Sequence, residues 1–375
     1  MTETGTIRTD GSPRHGFGIV GAGVIGATHA QAIKLVPGAS LVAVADVVPG
    51  RAKALAAEHG CAAEEDIDAL LARPDIDVVA VCVPTGLHAE VGVRAAAAGK
   101  HLVIEKPIDV TLAAADRLIG GTRRAGVAMT VISQHRFDSG LIELRRLLDD
   151  GALGALVLGE ASTKWYRTQG YYDSAAWRGT WDLDGGSLMN QGVHYVDLLL
   201  WAMGPVIEVT AAGATLAHRM EAEDVTVAVV RFASGAIGSI VSSTAAFPGS
   251  AQRLEVYGTD GTVVIEDGQL IRRSLKDERS PAADGTSRAA GAGPRPETIS
   301  APGPAAPAAA ANAAGIDPAP HAAQIGDLLA AIDEGRQPSV TGDSARATLE
   351  VVCAVYESAR DGRTVTIPAR PGTGS

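Results

Sequence analysis

The stretch Phe17–Gly26 reads FGIVGAGVIG and decides the fold of the N-terminal part of this chain. An apolar strand pattern leads directly into three glycines with G-x-G-x-x-G spacing, and a helical pattern follows them. In such a unit the backbone N–H groups at the start of the helix hold a diphosphate, whose charge the helix dipole stabilises. We therefore predict a dinucleotide site in this turn, formed by Gly21, Gly23, Val24, Ile25 and Gly26.

A carboxylate follows the next strand pattern at the spacing that this unit requires. The apolar run 41–45 ends at Asp46, and dinucleotide-binding units carry an acidic residue about 20 residues after the glycines. A carboxylate at this point holds the hydroxyl groups of a ribose and disfavours a 2′-phosphate. The predicted cofactor is therefore NAD, and NADP is less favoured.

Length, charge and cysteine content exclude several classes of protein. A chain of 375 residues is longer than one typical domain, so we expect two. The net charge of −11 argues against nucleic-acid binding, which needs basic patches. The three cysteines are far apart and show neither a disulfide framework nor a zinc spacing, which predicts a cytoplasmic protein without a metal site. No apolar run reaches the length of a membrane span, and the polar residues 1–15 are expected to form a disordered tail rather than a signal peptide.

Residues 16–135 alternate short apolar strand patterns with alanine-rich helical patterns. This alternation predicts an α/β Rossmann domain with a doubly wound parallel sheet that is covered on both faces. Ligands bind to such domains beyond the C-terminal ends of the strands. Two segments besides the glycine turn and Asp46 follow strand patterns in this way, at 84–88 and 105–107.

Residues 136–368 show strand patterns joined by tight-turn sequences such as Asp260-Gly261, with one long helical stretch among them. They predict an α+β domain for substrate binding and oligomerisation, with an open, mainly antiparallel sheet. The open face needs a cover, so we expect a homodimer or homotetramer that forms through this sheet. Within this domain, 276–320 is rich in Ala, Pro and Gly and predicts a flexible insertion, with a lid over the active site as the alternative. The helical patterns in 321–368 are expected to pack partly on the Rossmann domain.

Lys106 directly follows the apolar strand pattern His101–Ile104. This position places it at the C-terminal edge of the parallel sheet, beside the expected nicotinamide. A lysine at this point can donate to a substrate hydroxyl and stabilise the alkoxide that forms. The alternative is a surface lysine at the end of a strand. A cis peptide bond before Pro107 is compatible with the sharp turn expected here.

The segment Trp177–Met203 is dense in residue types that carry chemistry. Asn190 and His194 are four residues apart in a helical pattern, so they share one face of the helix. The adjacent glycines 185–186 permit a ligand to approach closely. His194 has a side chain that can accept a proton near neutral pH, although a histidine buried among apolar neighbours is the alternative interpretation.

Four motifs together resemble a known family. They are the glycine turn, V-P-T-x-L-H at 83–88, E-K-P at 105–107 and G-G-x-L-x-N-x-G-x-H-x-x-D at 185–197. This combination resembles the Gfo/Idh/MocA family of NAD(P)-dependent oxidoreductases, which includes glucose-fructose oxidoreductase, inositol dehydrogenase and rhizopine catabolism proteins. The resemblance extends from residue 16 to about 368 apart from the insertion. It implies a Rossmann domain, an open-faced α/β domain and an active site in the cleft between them.

The resemblance also implies roles for single residues. Lys106 corresponds to the catalytic lysine of the family, and His194 corresponds to its catalytic histidine. Asn190 occupies a position where inositol dehydrogenases often have aspartate; an amide cannot raise the basicity of an imidazole, so we expect Asn190 to orient a sugar hydroxyl. The residues expected near the cofactor are Pro84, Thr85, His88 and Glu105, with a purely structural role at the start of a helix as the alternative for His88.

Aromatic and basic residues concentrate between 164 and 181, in a chain with only 4% aromatic residues. Aromatic rings stack on the C–H faces of sugars, and cationic side chains bind hydroxyl, carboxylate or phosphate groups. A core cluster under a loop is the alternative. The predicted substrate residues are Lys164, Tyr166, Arg167, Arg178 and Asn190, together with Arg136 after the last Rossmann strand.

The sequence thus predicts an NAD-dependent dehydrogenase that acts on a CH–OH group of a sugar, sugar acid or cyclitol. Two alternatives remain. One is a glycosidase-like enzyme of the same family that recycles its bound NAD. The other is a nucleotide-responsive binding protein without catalytic activity.

Overall fold

The computed structural model describes residues 14–276, 297–298 and 316–368. The predicted tail and the predicted insertion lie almost entirely outside these residues. Within them, the chain forms one parallel and one mixed β-sheet, each packed against helices. No helix in this part of the chain is both long and apolar enough to span a membrane.

The first sheet has six parallel strands in the order β3-β2-β1-β4-β5-β6. The strands are β1 (His15–Val20), β2 (Ala39–Ala45), β3 (Ala62–Glu64), β4 (Val78–Val81), β5 (His101–Ile104) and β6 (Met129–Val131). The helices between them are α1 (Val24–Leu35), α2 (Arg51–His59), α3 (Ile67–Leu71), α4 (His88–Ala97) and α5 (Leu112–Ala125). The central strands are buried on both faces, as their uninterrupted apolar sequences predict. The predicted doubly wound Rossmann sheet is therefore confirmed, while β3 and α3 were missed because elements this short carry little periodic signal.

The position of β1 defines where a ligand can bind. It pairs with β2 on one side and β4 on the other. The strand order therefore reverses at β1, which opens a crevice beyond the C-terminal ends of these strands. The glycine turn lies at this end of β1.

The second sheet has nine strands in the order β14-β13-β12-β11-β7-β10-β9-β8-β15. Its strands are β7 (Leu156–Lys164), β8 (Val206–Ala214), β9 (Val225–Phe232), β10 (Ile237–Ser243), β11 (Arg253–Gly258), β12 (Gly261–Glu266), β13 (Gln269–Leu275), β14 (Glu297–Thr298) and β15 (Val365–Thr366). Its described strands pair antiparallel except for β7 and β10, which are parallel. One face of β9 is buried and the other is exposed, at Val227, Val229 and Arg231.

The remaining helices connect the two sheets. They are α6 (Ser139–Asp149), α7 (Gln169–Asp173), α8 (Val193–Met203), α9 (Ala319–Glu334) and α10 (Gly342–Asp361), with 3-10 turns at Thr85–Leu87 and Gln134–Phe137. Helix α9 packs on α1, and α10 contacts α5 of the first unit as well as α8 and β8 of the second. The helical stretch that carries Asn190 and His194 begins as a π-helix, Leu188–Gly192, before α8. A π-helical turn is a common feature of functional sites.

Candidate active site

The glycine turn combines tight backbone packing with open space. Gly21 has a φ of +103°, and a Cβ on Gly26 would lie 2.1 Å from the carbonyl oxygen of Gly21. A side chain at either position would therefore strain or separate the turn. At Gly23 a Cβ would meet no described atom within 4 Å, so the backbone faces open space there.

The start of α1 provides the donors that a diphosphate needs. The helix begins at Val24 and Ile25 with Gly23 as its N-cap, and no described side chain caps it by a hydrogen bond. The N–H groups of its first turn are therefore left for an anion, and the helix dipole favours negative charge at this end. The open space and the donors fit the diphosphate of a dinucleotide.

Asp46 lies beside this turn and is fixed by the backbone. Its Oδ2 atom accepts a hydrogen bond from the N–H group of Ala22 at 2.7 Å, and Oδ1 accepts from Val48 at 2.7 Å. A carboxylate has about four acceptor positions, so lone pairs remain for ribose hydroxyls. The geometry is compatible with the predicted role of Asp46 in binding NAD.

The 83–88 segment lies at the end of β4, but His88 differs from its prediction. Its Nδ1 atom lies 2.8 Å from the carbonyl oxygen of Pro107, and Nε2 lies 3.0 Å from that of Val83. Burial lowers the pKa of His88. Because both ring nitrogens contact the backbone, the structure gives His88 the role of joining two loops rather than contacting the cofactor. Thr85 is buried at the start of the 3-10 turn Thr85–Leu87, and Pro84 directly precedes this turn. Both residues therefore belong to the loop that joins β4 to α4.

Glu105 also differs from its prediction, because it lies beneath the site in a buried ion pair. Its Oε1 atom is 2.7 Å from Nε2 of His29, and Oε2 accepts from the N–H group of Lys106 at 3.1 Å. Burial by itself lowers the pKa of His29, but contacts with Cys82 and Glu105 raise it to about 10. Burial favours the neutral acid at Glu105, yet the hydrogen bond from His29 lowers its pKa to about 2. The pair therefore anchors the backbone that carries Lys106.

His321 extends this buried cluster from α9. Its Nε2 atom lies 3.8 Å from Oε1 of Glu105, and the ligand-type atoms of His29, Glu105 and His321 lie within 4.8 Å of one another. Since Glu105 already has a counter-charge in His29, we interpret the group as an ion-pair network. Sequence reasoning missed both histidines because they are distant from Glu105 along the chain.

Lys106 connects the end of β5 in the parallel sheet to the π-helix that precedes α8. Its peptide bond with Pro107 is cis. Its Nζ atom donates to the backbone oxygen of Asn190 at 2.7 Å and to the side-chain Oδ1 of Asn190 at 3.2 Å. The structure thus brings together two predicted site residues that are far apart in sequence.

Asn190 lies in the π-helix, and its amide is held on both sides. Its Nδ2 group donates to Oδ1 of Asp184, whose Oδ2 accepts from the N–H group of Gly179 at 2.7 Å. Asp184 is only 1% exposed. Its role was missed because an aspartate in a glycine-rich stretch is also typical of a simple turn. The amide of Asn190 is thus held by protein groups on both sides, while its second N–H group has no partner among the described residues, so its predicted contact with a sugar hydroxyl stays a prediction.

His194 begins the α-helical part of the same segment, one turn after Asn190. It is half-buried and makes an edge-to-face contact with His135 at 5.1 Å between ring centres. Burial, together with the nearby charges of Lys106 and His135, lowers its pKa well below the usual value. His194 is therefore neutral at neutral pH. Among the described residues, neither of its ring nitrogens has a hydrogen-bond partner.

The π-helix is held by two groups that sequence reasoning did not identify. Oε1 of Glu223 accepts from the N–H group of Leu188 at 2.7 Å, and the Tyr356 hydroxyl accepts from that of Met189 at 3.1 Å. Burial raises the pKa of Glu223 to about 7. These contacts fix the backbone that presents Asn190.

Arg136 is part of a structural ion pair, which corrects the prediction that it contacts substrate. Its Nε and Nη2 atoms donate to Asp197 at 2.7 and 2.6 Å, and both side chains are nearly buried. Thr348 donates to the same carboxylate at 3.0 Å. In this bidentate pair, Asp197 occupies the edge of the Arg136 guanidinium to which a substrate carboxylate would otherwise bind.

Two arginines of the predicted substrate set pack on one tyrosine. The guanidinium carbons of Arg167 and Arg178 lie 4.9 and 4.2 Å from the ring centre of Tyr171, whose hydroxyl is 3.5 Å from Nε2 of Gln191. Gln191 follows Asn190 directly, so this cluster adjoins the Lys106 contact.

Two other predicted substrate residues lie further along the same segment. Lys164 is exposed at the end of β7, and Tyr166 packs edge-to-face on Phe247 at 5.2 Å. In the described part of the chain, no side-chain hydrogen bond links either residue to the Lys106 group. Their assignment to the substrate site therefore stays a prediction.

Comparison with known proteins agrees with this geometry. Residues 15–133 match the oxidoreductase family with an NAD-binding Rossmann fold, and residues 141–264 match the GFO/IDH/MocA C-terminal domain. Myo-inositol 2-dehydrogenase of Thermotoga maritima is 32% identical over 70% of this chain and 78% of its own length. Inositol 2-dehydrogenase of Rhizobium meliloti is 32% identical over 68% of this chain and 76% of its own length.

A solved structure is similar over nearly the whole chain. It is the WlbA dehydrogenase from Bordetella pertussis in complex with NADH and UDP-GlcNAcA, with a TM-score of 0.81 and 30% identity. The match covers 95% of this chain and 100% of that one. The predicted family and cofactor are thereby confirmed: the chain belongs to the GFO/IDH/MocA family of oxidoreductases and uses NAD.

Proposed function

We propose that this protein is a dehydrogenase that oxidises a CH–OH group of a sugar, sugar acid or cyclitol, with Lys106 and His194 as its catalytic residues. The observation that carries the proposal is the contact of Lys106 with Asn190, one helical turn from His194. This contact supports an active site in which the ammonium of Lys106 and the imidazole of His194 act together near the C-terminal edge of the parallel sheet. NAD, when bound, supplies the hydride acceptor.

Lys106 would donate a hydrogen bond to the reacting oxygen and stabilise the negative charge that develops as its proton leaves. The ammonium is preorganised for this, because two oxygens of Asn190 fix its position. A fixed positive charge at a developing alkoxide lowers the barrier more than a mobile one would, since it does not reorganise during the reaction.

His194 would accept the proton of the substrate hydroxyl. A general base must be unprotonated before the reaction, and its lowered pKa keeps His194 in that state. Neither ring nitrogen has a hydrogen-bond partner among the described residues, so the unprotonated nitrogen of the neutral ring can accept the proton of the substrate. The two residues therefore have complementary roles on one oxygen atom.

The substrate contacts proposed for Arg167 and Arg178 favour a carbohydrate with an anionic group. Two guanidinium groups on one tyrosine ring repel each other, and a carboxylate or phosphate between them would relieve that repulsion. Relatives named as inositol dehydrogenases and the WlbA complex with UDP-GlcNAcA support a polyol or sugar-acid substrate.

A substrate screen tests the proposed function. NAD reduction should be measured with myo-inositol, scyllo-inositol, glucose, glucuronate and UDP-GlcNAcA. We expect NADH to accumulate with at least one of them, and to accumulate fastest with an acidic sugar. Turnover without net NADH would favour the recycling, glycosidase-like alternative. Tight NAD binding without any change in these compounds would favour the non-catalytic alternative and contradict the proposal.

We further infer that a second copy of this chain covers the open face of the mixed sheet. Val227, Val229 and Ile237 are 46–56% exposed on adjacent strands of this sheet. Burial of such a patch stabilises association. Light scattering should show a dimer or tetramer that V229K weakens, whereas a monomeric wild type would contradict the inference.

A further inference from the structure

Lys106 is the first member of a hydrogen-bond chain that ends at a buried carboxylate. Lys106 donates to Asn190, Asn190 donates to Asp184, and Asp184 accepts from the N–H group of Gly179. We propose that Asp184 is a positioning residue that acts through Asn190 to orient and stabilise the ammonium of Lys106. This inference rests on the catalytic role proposed for Lys106.

The first argument concerns the orientation of the Asn190 amide. An amide side chain has a donor end and an acceptor end. Asp184 as a carboxylate can only accept, so it attracts the Nδ2 end of Asn190 and leaves Oδ1 directed at Lys106. If the amide turned over, its N–H groups would face the ammonium and the Asn190 carbonyl would face a carboxylate. Both contacts would then be repulsive, so Asp184 selects the orientation that serves Lys106.

The second argument concerns charge. Asp184 is 1% exposed and forms no salt bridge within the described part of the chain. Its negative charge is therefore satisfied only by the N–H group of Gly179, by Asn190 and by the nearby cations. Burial raises the pKa of Asp184, and the N–H group of Gly179 and the positive charges of Arg178 and Lys106 oppose that rise. The ammonium of Lys106, reached through one amide, is therefore one of the two counter-charges of this buried carboxylate.

Other charged groups around Lys106 make this contribution necessary. Burial and the guanidinium groups of Arg167 and Arg178 lower the pKa of Lys106, and the carboxylates of Glu105 and Asp184 oppose that shift. Glu105 already forms an ion pair with His29, and the neighbouring His194 is neutral. Asp184 therefore has no ion-pair partner of its own among the described residues, and its charge opposes the lowering of the Lys106 pKa.

Competitive labelling with acetic anhydride tests the proposal without a substrate, because only the unprotonated amine reacts. The full-length chain is labelled across a range of pH, and peptide mass spectrometry compares Lys106 with the exposed Lys53 as an internal reference. D184N should lose the charge and release the amide of Asn190. A drop of about one pKa unit makes Lys106 react about tenfold faster below its pKa. N190S removes the amide that links Lys106 to Asp184 but keeps the contact of Asp184 with Gly179. This variant should also increase the labelling rate of Lys106.

The double variant D184N/N190D is the sharpest test. The introduced amide at position 184 can accept from Gly179 and donate to the introduced carboxylate at position 190, so every hydrogen bond of the chain is preserved with the charge moved next to Lys106. We expect labelling at or below the wild-type rate. The exposed Asp182 provides the control, since D182N should leave labelling unchanged.

Wild-type labelling of Lys106 in both D184N and N190S would overturn the proposal. Labelling of the double variant as fast as in D184N would also overturn it, because the charge would then not act on Lys106. The labelling results do not depend on turnover, so they test the role of Asp184 separately from the proposed function. Full activity of K106A would contradict the catalytic role proposed for Lys106, whatever the labelling shows.

Discussion

The two halves of the site are built in different ways. The proposed cofactor half consists of backbone groups of one continuous turn, Gly21–Gly26, and of one carboxylate, Asp46, held by N–H groups. The proposed catalytic half uses the side chains of Lys106, which follows β5, and of His194 on α8, and both depend on buried neighbours. A site made of backbone tolerates most substitutions except at its glycines. A site made of buried charges fails when any one partner is removed, because a charge is then left uncompensated.

The largest effect that this comparison predicts is on turnover. K106A and H194A should each lower kcat about 10³-fold, within the range for loss of a general acid or base. NADH affinity should stay nearly unchanged, since neither residue belongs to the cofactor half. Steady-state kinetics and NADH fluorescence titration give the two quantities, and K53A on α2 is the matched control. Loss of NADH binding in both variants would show that the two halves are not separable.

The second effect is on stability against pH, through the buried pair beneath Lys106. The folded-state pKa of His29 is raised from 6.5 to about 10, so its contribution is fully present below pH 6.5 and is lost as pH rises through about 10. The free energy of unfolding of the wild type should therefore fall by up to about 1.4 kcal/mol for each pH unit across this window. H29Q should lack this decrease. Urea denaturation at several pH values measures it, and parallel curves for the two proteins would contradict the prediction.

The third prediction concerns Arg136 and distinguishes a charge that stabilises the fold from a charge that takes part in catalysis. R136Q leaves the buried carboxylate of Asp197 without its bidentate partner, which should lower the free energy of unfolding by about 3 kcal/mol. Turnover should change far less than in K106A. Denaturant unfolding and steady-state kinetics distinguish the two. An increase in KM with unchanged stability would instead restore the original prediction that Arg136 contacts substrate.

The same difference explains how much could be predicted from the sequence. The glycine turn and Asp46 could be predicted as a cofactor site because their parts lie close together in the chain and each has a fixed backbone task. Strand and helix types followed from periodicity, and the predicted roles of Lys106 and His194 came from the family resemblance. These features either repeat locally or match a motif.

The misses share a physical cause, which is that a polar side chain is defined by its partner. His29 and Glu105 form a pair across distant segments, and Asp184 meets Asn190 only once the glycine-rich turn and the π-helix form. Arg136 was misassigned for the same reason, since Asp197 lies on another element and nothing in the sequence connects the two. A local sequence pattern shows which residue type occupies a position, but it does not show which distant side chain will bind to that residue in the folded protein.

The smallest effect tests the backbone half directly. A Cβ at Gly23 meets no described atom, so G23A should leave the melting temperature unchanged while it fills the space proposed for the diphosphate. Loss of one charge-assisted hydrogen bond costs about 2 kcal/mol, which corresponds to about 30-fold weaker NADH binding. G326A is the matched control, because its Cβ also meets no described atom but lies in α9, where alanine stabilises a helix by about 0.5–1 kcal/mol. Unchanged NADH affinity in G23A would place the diphosphate away from this turn, and the division of the site into a backbone half and a side-chain half would then be wrong.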